Sequence, residues 1–110
     1  MSKAKHEVRA AFRDAVFRRA TRDGITRCEV CGAHDRPLDA HHIIPREEIC
    51  GGGYVASNGI SLCDAMQGCH WKAERWPIDH ETFGRKALFA RIGSSEEKAR
   101  LDAQRRRWPT

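Results

Sequence analysis

At 110 residues, 40% of them hydrophobic and 32% charged, the chain has room for one modest core and little to spare. A formal net charge of +5 and a pI near 9.2 suit a polyanionic partner without proving one, and no apolar run approaches membrane-spanning length. Five cysteines in so short a chain imply that something besides apolar burial supports the fold.

From about Lys3 to Arg22, the apolar residues Val8, Ala11, Phe12, Ala15, Val16 and Ala20 recur at helical spacing. The pattern predicts an amphipathic helix with a strongly basic opposite face, and Lys3, Lys5, Arg9, Arg13, Arg18, Arg19, Arg22 and Arg27 crowd this end of the chain. Asp23-Gly24 is its expected stop, since glycine enters a left-handed C-terminal position at no steric cost. No apolar stretch or cleavage site follows the N-terminal lysines, so the expected compartment is the reducing cytosol. In that setting Cys28-Glu29-Val30-Cys31 reads as a metal knuckle rather than a disulfide framework. Cys63 and Cys69 form a second pair, and four thiolates around one structural Zn2+ would contribute directly to folding. His34 is the weaker alternative ligand, and Cys50 matches no zinc position and reads as a free thiol.

Leu38 to Ile44 is a predicted strand ended by Pro45. Within it stand His41 and His42, and successive side chains on a strand point to opposite faces, so the two are badly placed to chelate one ion as equals. Two different roles suit them better: one can hold a metal while its neighbour, across a bound phosphate, takes a proton from water. The following loop, 46–57, contains Gly51-Gly52-Gly53, expected to be flexible enough to follow a nucleic-acid backbone. Asn58-Gly59 is a turn signature ahead of the apolar strand Ile60 to Cys63. Gly68 to about Arg75 reads as a short helix stopped before Pro77. On it His70 and Glu74 stand at i and i+4, hence on one face, with His70 a candidate metal ligand and Glu74 either a third ligand or a surface salt-bridging residue.

Trp71 and Trp76 are expected to cap the core. Beyond Pro77, Phe83, Leu88, Phe89 and Ile92 suggest a second amphipathic helix. Ser94-Ser95-Glu96-Glu97 offers a capping box for a polar C-terminal helix with Glu96–Arg100 and Lys98–Asp102 pairs. Arg100, Arg105, Arg106 and Arg107 make a second basic cluster. His6 is expected to be exposed and His80 structural.

Taken together, the C-x2-C, His41-His42-Ile43-Ile44-Pro45, Asn58-Gly59 before an apolar strand, and Cys69-His70 opening a helix resemble the HNH endonuclease family over about residues 28 to 76. The resemblance implies an α+β fold: a small ββα-metal core with a zinc knuckle, flanked by N- and C-terminal helices. The expected layout is a single nuclease domain over 1–110, with the basic helix in 1–24, the knuckle and ββα motif in 28–76, and a helical extension in 77–110. It implies that His41 binds a catalytic divalent ion together with His70, with Glu74 a candidate third ligand, that His42 is the general base, and that Asn58 supports the base. Mg2+ is the expected ion, with Mn2+, Ni2+ or Zn2+ as alternatives. The implied activity is hydrolysis of DNA phosphodiester bonds to leave 5′-phosphate and 3′-hydroxyl ends. DNA is thus the implied partner, with a homodimer or a larger phage or host nuclease complex as the assembly to look for, in the cytoplasm of a bacterial or phage-infected cell. The second cysteine pair departs from the family, being C-x5-C where many zinc-containing members have C-x2-C. The rival reading is a non-catalytic zinc-ribbon module that binds nucleic acid, although such a module has no need of His41, His42 and His70 together.

Overall fold

The computed structural model describes residues 3–106 and Trp108; Arg107 of the second basic cluster lies outside the described residues. The chain is α+β, with short two-stranded sheets wrapped by helices. Helix α1 spans Lys3–Arg19 and buries Phe12 and Val16, while Ala11, on the expected apolar stripe, is exposed. It ends three residues earlier than its pattern suggests. The chain then pairs β1 (Thr21–Arg22) with β2 (Ile25–Thr26), and Asp23 (φ 54°) and Gly24 (φ 77°) form the hairpin turn between them rather than a helix stop. Two consecutive positive φ angles are what a tight hairpin requires, which is why Asp-Gly served this turn.

The central unit is β3 (Leu38–His42) antiparallel to β4 (Gly59–Cys63), with His41 opposite Ile60 and His42 opposite Gly59. Every residue of β4 is buried, because α1 covers one side of it and the remaining elements close the other. Gly59 is not a turn residue: its φ is −123°, ordinary extended backbone. Glycine is required there for another reason, since a Cβ would run into the Val16 and Phe12 side chains of α1. The three glycines of the intervening loop are likewise a packed turn rather than slack chain. All have positive φ, and added Cβ atoms would strike the Trp108 ring at Gly51, Tyr54 at Gly52, and Asn58 and Ile49 at Gly53.

Helix α2 (Cys69–Glu74) completes the ββα unit, followed by a 3-10 turn over Trp76–Asp79. The expected second amphipathic helix is divided into α3 (His80–Phe83) and α4 (Arg85–Arg91) at Gly84, whose backbone is extended. Helix α5 (Glu96–Arg105) begins at Ser95, whose hydroxyl accepts from the Lys98 N–H at 3.1 Å. This is a single cap rather than the expected box, because the residue at the third helical position is Lys98. The Glu96–Arg100 and Lys98–Asp102 pairs form at 3.3 and 3.5 Å. The helix is polar only on its outer face: Ala99 and Ala103 are fully buried, and Ser57 donates to the Asp102 carboxylate at 2.7 Å, tying α5 to the loop before β4. Trp71 and Trp76 do not cap the core. They are 37% and 51% exposed, and Trp71 instead carries the Arg75 guanidinium 4.3 Å above its ring.

Candidate active site and metal centre

The knuckle is held to β4 by its own backbone and by an ion pair. The Glu29 N–H donates to the Ser61 carbonyl at 2.7 Å, and the Ser61 N–H donates to the Glu29 carboxylate at 2.9 Å. The same carboxylate receives Arg19 of α1 through two nitrogens, at 2.8 and 3.0 Å, and Arg19 also donates to the Ala56 and Gly59 carbonyls. A residue between two of the cysteines thus fixes α1 against the strand that carries the third.

The Sγ atoms of Cys28, Cys31, Cys63 and Cys69 lie within 4.8 Å of one another. Thiolates at about 2.3 Å from a tetrahedral ion stand about 3.8 Å apart, and the Cys31 and Cys63 sulfurs are 3.7 Å apart. Backbone N–H groups already point at sulfur: Cys31 donates to Cys28 Sγ at 3.5 Å and Cys69 to Cys63 Sγ at 3.2 Å. Burial pushes the Cys28 thiol up, but the N–H groups of Cys31, Val30 and Cys63 outweigh it and hold its pKa below the usual thiol value. Burial, and then the charge of Cys28, push Cys69 up. Such a cluster favours a cation that relieves the mutual repulsion of its thiolates, and its donor set fits Zn2+. The C-x5-C spacing is no obstacle, because a turn after β4, with Gln67 at φ 56°, brings Cys69 back beside Cys63. Cys50 is exposed and outside the cluster, as is His34.

On β3 the alternation separates the paired histidines. His41, on the same face as Asp39, lies with its ring 5.4 Å from that of His70. His70 Nε2 is 3.0 Å from Glu74 Oε1 and 3.5 Å from Asp39 Oδ2, while its Nδ1 is 3.2 Å from Asp64 Oδ1. Asp39, His41, His70 and Glu74 line a cleft of about 820 Å³ shared with His42 and Arg46. Burial, then the neighbouring His70 and His42, lower the pKa of His41 to about 4. Its imidazole is therefore neutral and able to donate a lone pair at neutral pH.

His42 stacks on Phe12 of α1, ring centroids 4.5 Å apart and 20° from parallel, and meets Tyr54 edge-on at 4.6 Å. Its Nε2 is buried and makes no hydrogen bond among the described residues. Burial, then Arg46 and Arg9, bring its pKa down to about 4, so it too is neutral at pH 7. Just beyond it, Asn58 clips the backbone. Its Oδ1 accepts from the Ile44 N–H at 2.9 Å, its Nδ2 donates to the Ile44 and Gly53 carbonyls at 3.2 Å, and its own carbonyl accepts from the Ile43 N–H at 2.9 Å.

The structure thus sets His41 beside His70 and His70 beside Glu74 along one cleft, places His42 on the adjoining face, and buries Asn58 behind it. Two carboxylates beside His70 escaped sequence reasoning. Asp39 could have been found, since it stands two residues before His41 on one strand face. Asp64 had no local signal, because only the turn between β4 and α2 carries it to His70.

The family model described as HNH endonuclease matches residues 28–75. That stretch, somewhat under half of the chain, is similar to HNH endonucleases, and α1, α3, α4 and α5 lie outside the match. The match supports a nuclease-type function in general terms; HNH nucleases act on DNA. No match to the chain was found among curated proteins or among solved structures. No helix among the described residues is long and apolar enough to cross a membrane.

Proposed function

We propose that the chain, acting over 1–110 as one nuclease domain, hydrolyses DNA phosphodiester bonds with a divalent ion held by His41, His70 and Glu74, and with His42 as general base. The observation that carries this reading is the convergence on His70. Two ligand atoms at 2.0–2.1 Å from an octahedral ion are about 3 Å apart, and the 3.0 Å between His70 Nε2 and Glu74 Oε1 fits that spacing. Asp39, at 3.5 Å, is within reach of the same ion. With an ion on Nε2, His70 Nδ1–H would donate to the Asp64 carboxylate 3.2 Å away, which holds the ring in the ligating tautomer. A bound Mg2+ or similar ion would act as Lewis acid toward a phosphate oxygen and the leaving 3′ oxygen. His42, neutral at pH 7, takes a proton from the attacking water as the new P–O bond forms. The P–O3′ bond breaks with its electron pair on O3′, which is then protonated, leaving 5′-phosphate and 3′-hydroxyl ends. Asn58 supports this by fixing the chain at Ile43 and Ile44, one and two residues beyond the base. The four cysteines hold a separate structural zinc.

One observation favours the rival, a module that binds nucleic acid without cutting it: His42 Nε2 is buried, with Phe12 stacked on the ring. Cleavage requires that a ring nitrogen of His42 meet water. Single-turnover cleavage of supercoiled plasmid across Mg2+ and Mn2+ titrations separates the two. His42→Ala should lower the rate by roughly 10²–10⁴ with fold, zinc and DNA affinity kept. His41→Ala should also weaken binding of the catalytic ion, so that excess metal partly restores it. Wild-type rates from His42→Ala would replace this reading with the binding module.

A further inference from the structure

Next to the catalytic cleft, on the far side of Tyr54, lies a second cavity of about 310 Å³. Its walls are Lys5, Val8 and Arg9 of α1, Gly51 and Tyr54 of the glycine loop, and Trp108. Most of this wall comes from outside the HNH match.

The wall is built rather than incidental. Trp108 lies so close over Gly51 that any Cβ there would occupy its ring, and Gly51 sits at φ +62°, where glycine is unstrained. The indole N–H is satisfied by the Ala103 carbonyl at 2.8 Å, which leaves carbon surface to face the cavity. Arg106 lies 5.0 Å over the Trp108 ring and donates to the Tyr54 backbone carbonyl at 2.8 Å. Arg9 stands 5.7 Å over the Tyr54 ring, and Arg46 donates to the Tyr54 hydroxyl at 3.2 Å. Among the described residues, none of Arg9, Arg46 and Arg106 forms an ion pair with a carboxylate. Three guanidinium groups thus gather around two aromatic rings, with Arg46 on the His42 side and Tyr54 the partition between the second cavity and His42. Cations that track a phosphate chain beside aromatic surface are how proteins hold unpaired nucleotides, and a cavity this small admits a nucleotide but not a duplex.

We infer that this cavity binds one unpaired nucleotide adjacent to the scissile phosphate, its phosphate on Arg9 and Arg46 and its base against Tyr54 and Trp108, so that the preferred substrate is single-stranded DNA or a duplex with an unpaired strand. The inference rests on the proposed function for the position of the scissile phosphate.

The test is fluorescence anisotropy with the zinc-loaded, cleavage-dead His42→Ala chain, comparing a labelled single-stranded oligonucleotide with the blunt duplex of the same sequence. Single strand should bind more tightly. Adding Arg9→Ala or Trp108→Ala should weaken single-strand binding by roughly 10- to 100-fold and duplex binding by much less. Trp108→Phe, which keeps an aromatic wall, should retain most of the preference. Zinc content and thermal unfolding of each variant report whether it is folded, and if Trp108→Ala is not, the Arg9→Ala and Trp108→Phe pair decides alone. Equal affinity for single strand and duplex, or equal losses on both, would overturn the inference. Because binding is read in a chain that does not cut, a wild-type protein that cleaves nothing would defeat the nuclease proposal while leaving this result standing. A wild-type protein that cuts both substrates equally, with Arg9→Ala unchanged, would defeat the cavity alone.

Discussion

Replacing Asn58 by alanine removes the clip behind His42. Asn58 is fully buried, and its side chain makes three hydrogen bonds, accepting from Ile44 N–H and donating to the Ile44 and Gly53 carbonyls. At about 1 kcal/mol net each, their loss costs about 3 kcal/mol, and the Ile44 N–H left buried without an acceptor adds about 1–3 kcal/mol unless water reaches it. A destabilisation of about 3–6 kcal/mol is a large share of a small domain's total of about 5–15 kcal/mol. With a urea slope of about 1–3 kcal/mol per molar, the unfolding midpoint should drop by about 2 M. Urea titrations of zinc-loaded wild type and variant, followed by circular dichroism, give both midpoint and slope. In cleavage assays at zero urea the variant should be slower than wild type and faster than His42→Ala, because the base is present but its strand is loosened. A midpoint within 0.3 M of wild type, at unchanged slope, would refute this account: it would correspond to less than about 1 kcal/mol, less than these bonds can be worth.

Two further outcomes follow from the cysteines and the histidines. Dialysis against a mild chelator should leave about one zinc per chain, and a thiol reagent should then titrate Cys50 rapidly and the remaining four of the five cysteines only after denaturation, whereas in Cys69→Ser the three left in the cluster should react without it; fully folded, metal-free protein would reject the structural zinc. His41 and His42 have folded-state pKa values lowered to about 4 from an ordinary 6.5. The unfolded chain therefore binds more protons between those values, and their contribution to stability is fully present above about pH 6.5 and lost as pH falls toward 4. Urea midpoints without added divalent ion should fall from pH 7.5 to pH 5, and less so in His42→Phe, which removes one of the two groups while keeping a ring on Phe12. An equal fall in both proteins would show that His42 is not buried in its neutral form.

What the sequence determined by itself was chemistry carried by short spacings. The C-x2-C, the adjacent histidines and the i, i+4 pair of His70 and Glu74 are local patterns, and backbone geometry alone decides which face each residue takes. That is why the separation of His41 from His42 was legible before any fold, and why Asp39, two residues upstream, could have been added. Tertiary structure decided everything that depends on elements distant in the chain meeting. Asp64 reaches His70 only through the turn after β4, and the C-x5-C pair closes for the same reason. Gly59 and the loop glycines looked like turn and flexibility signals, yet most of their constraint is close approach: Phe12 and Val16 against Gly59, and Trp108 against Gly51. Periodicity reports which side of a helix is apolar but not what lies against it, so nothing in the pattern of α1 could say that Phe12 covers the imidazole of His42. The Arg19–Glu29 pair, linking α1 to the zinc knuckle, was hidden likewise, since a basic helix face and an acidic knuckle residue look solvent-exposed until packing brings them together.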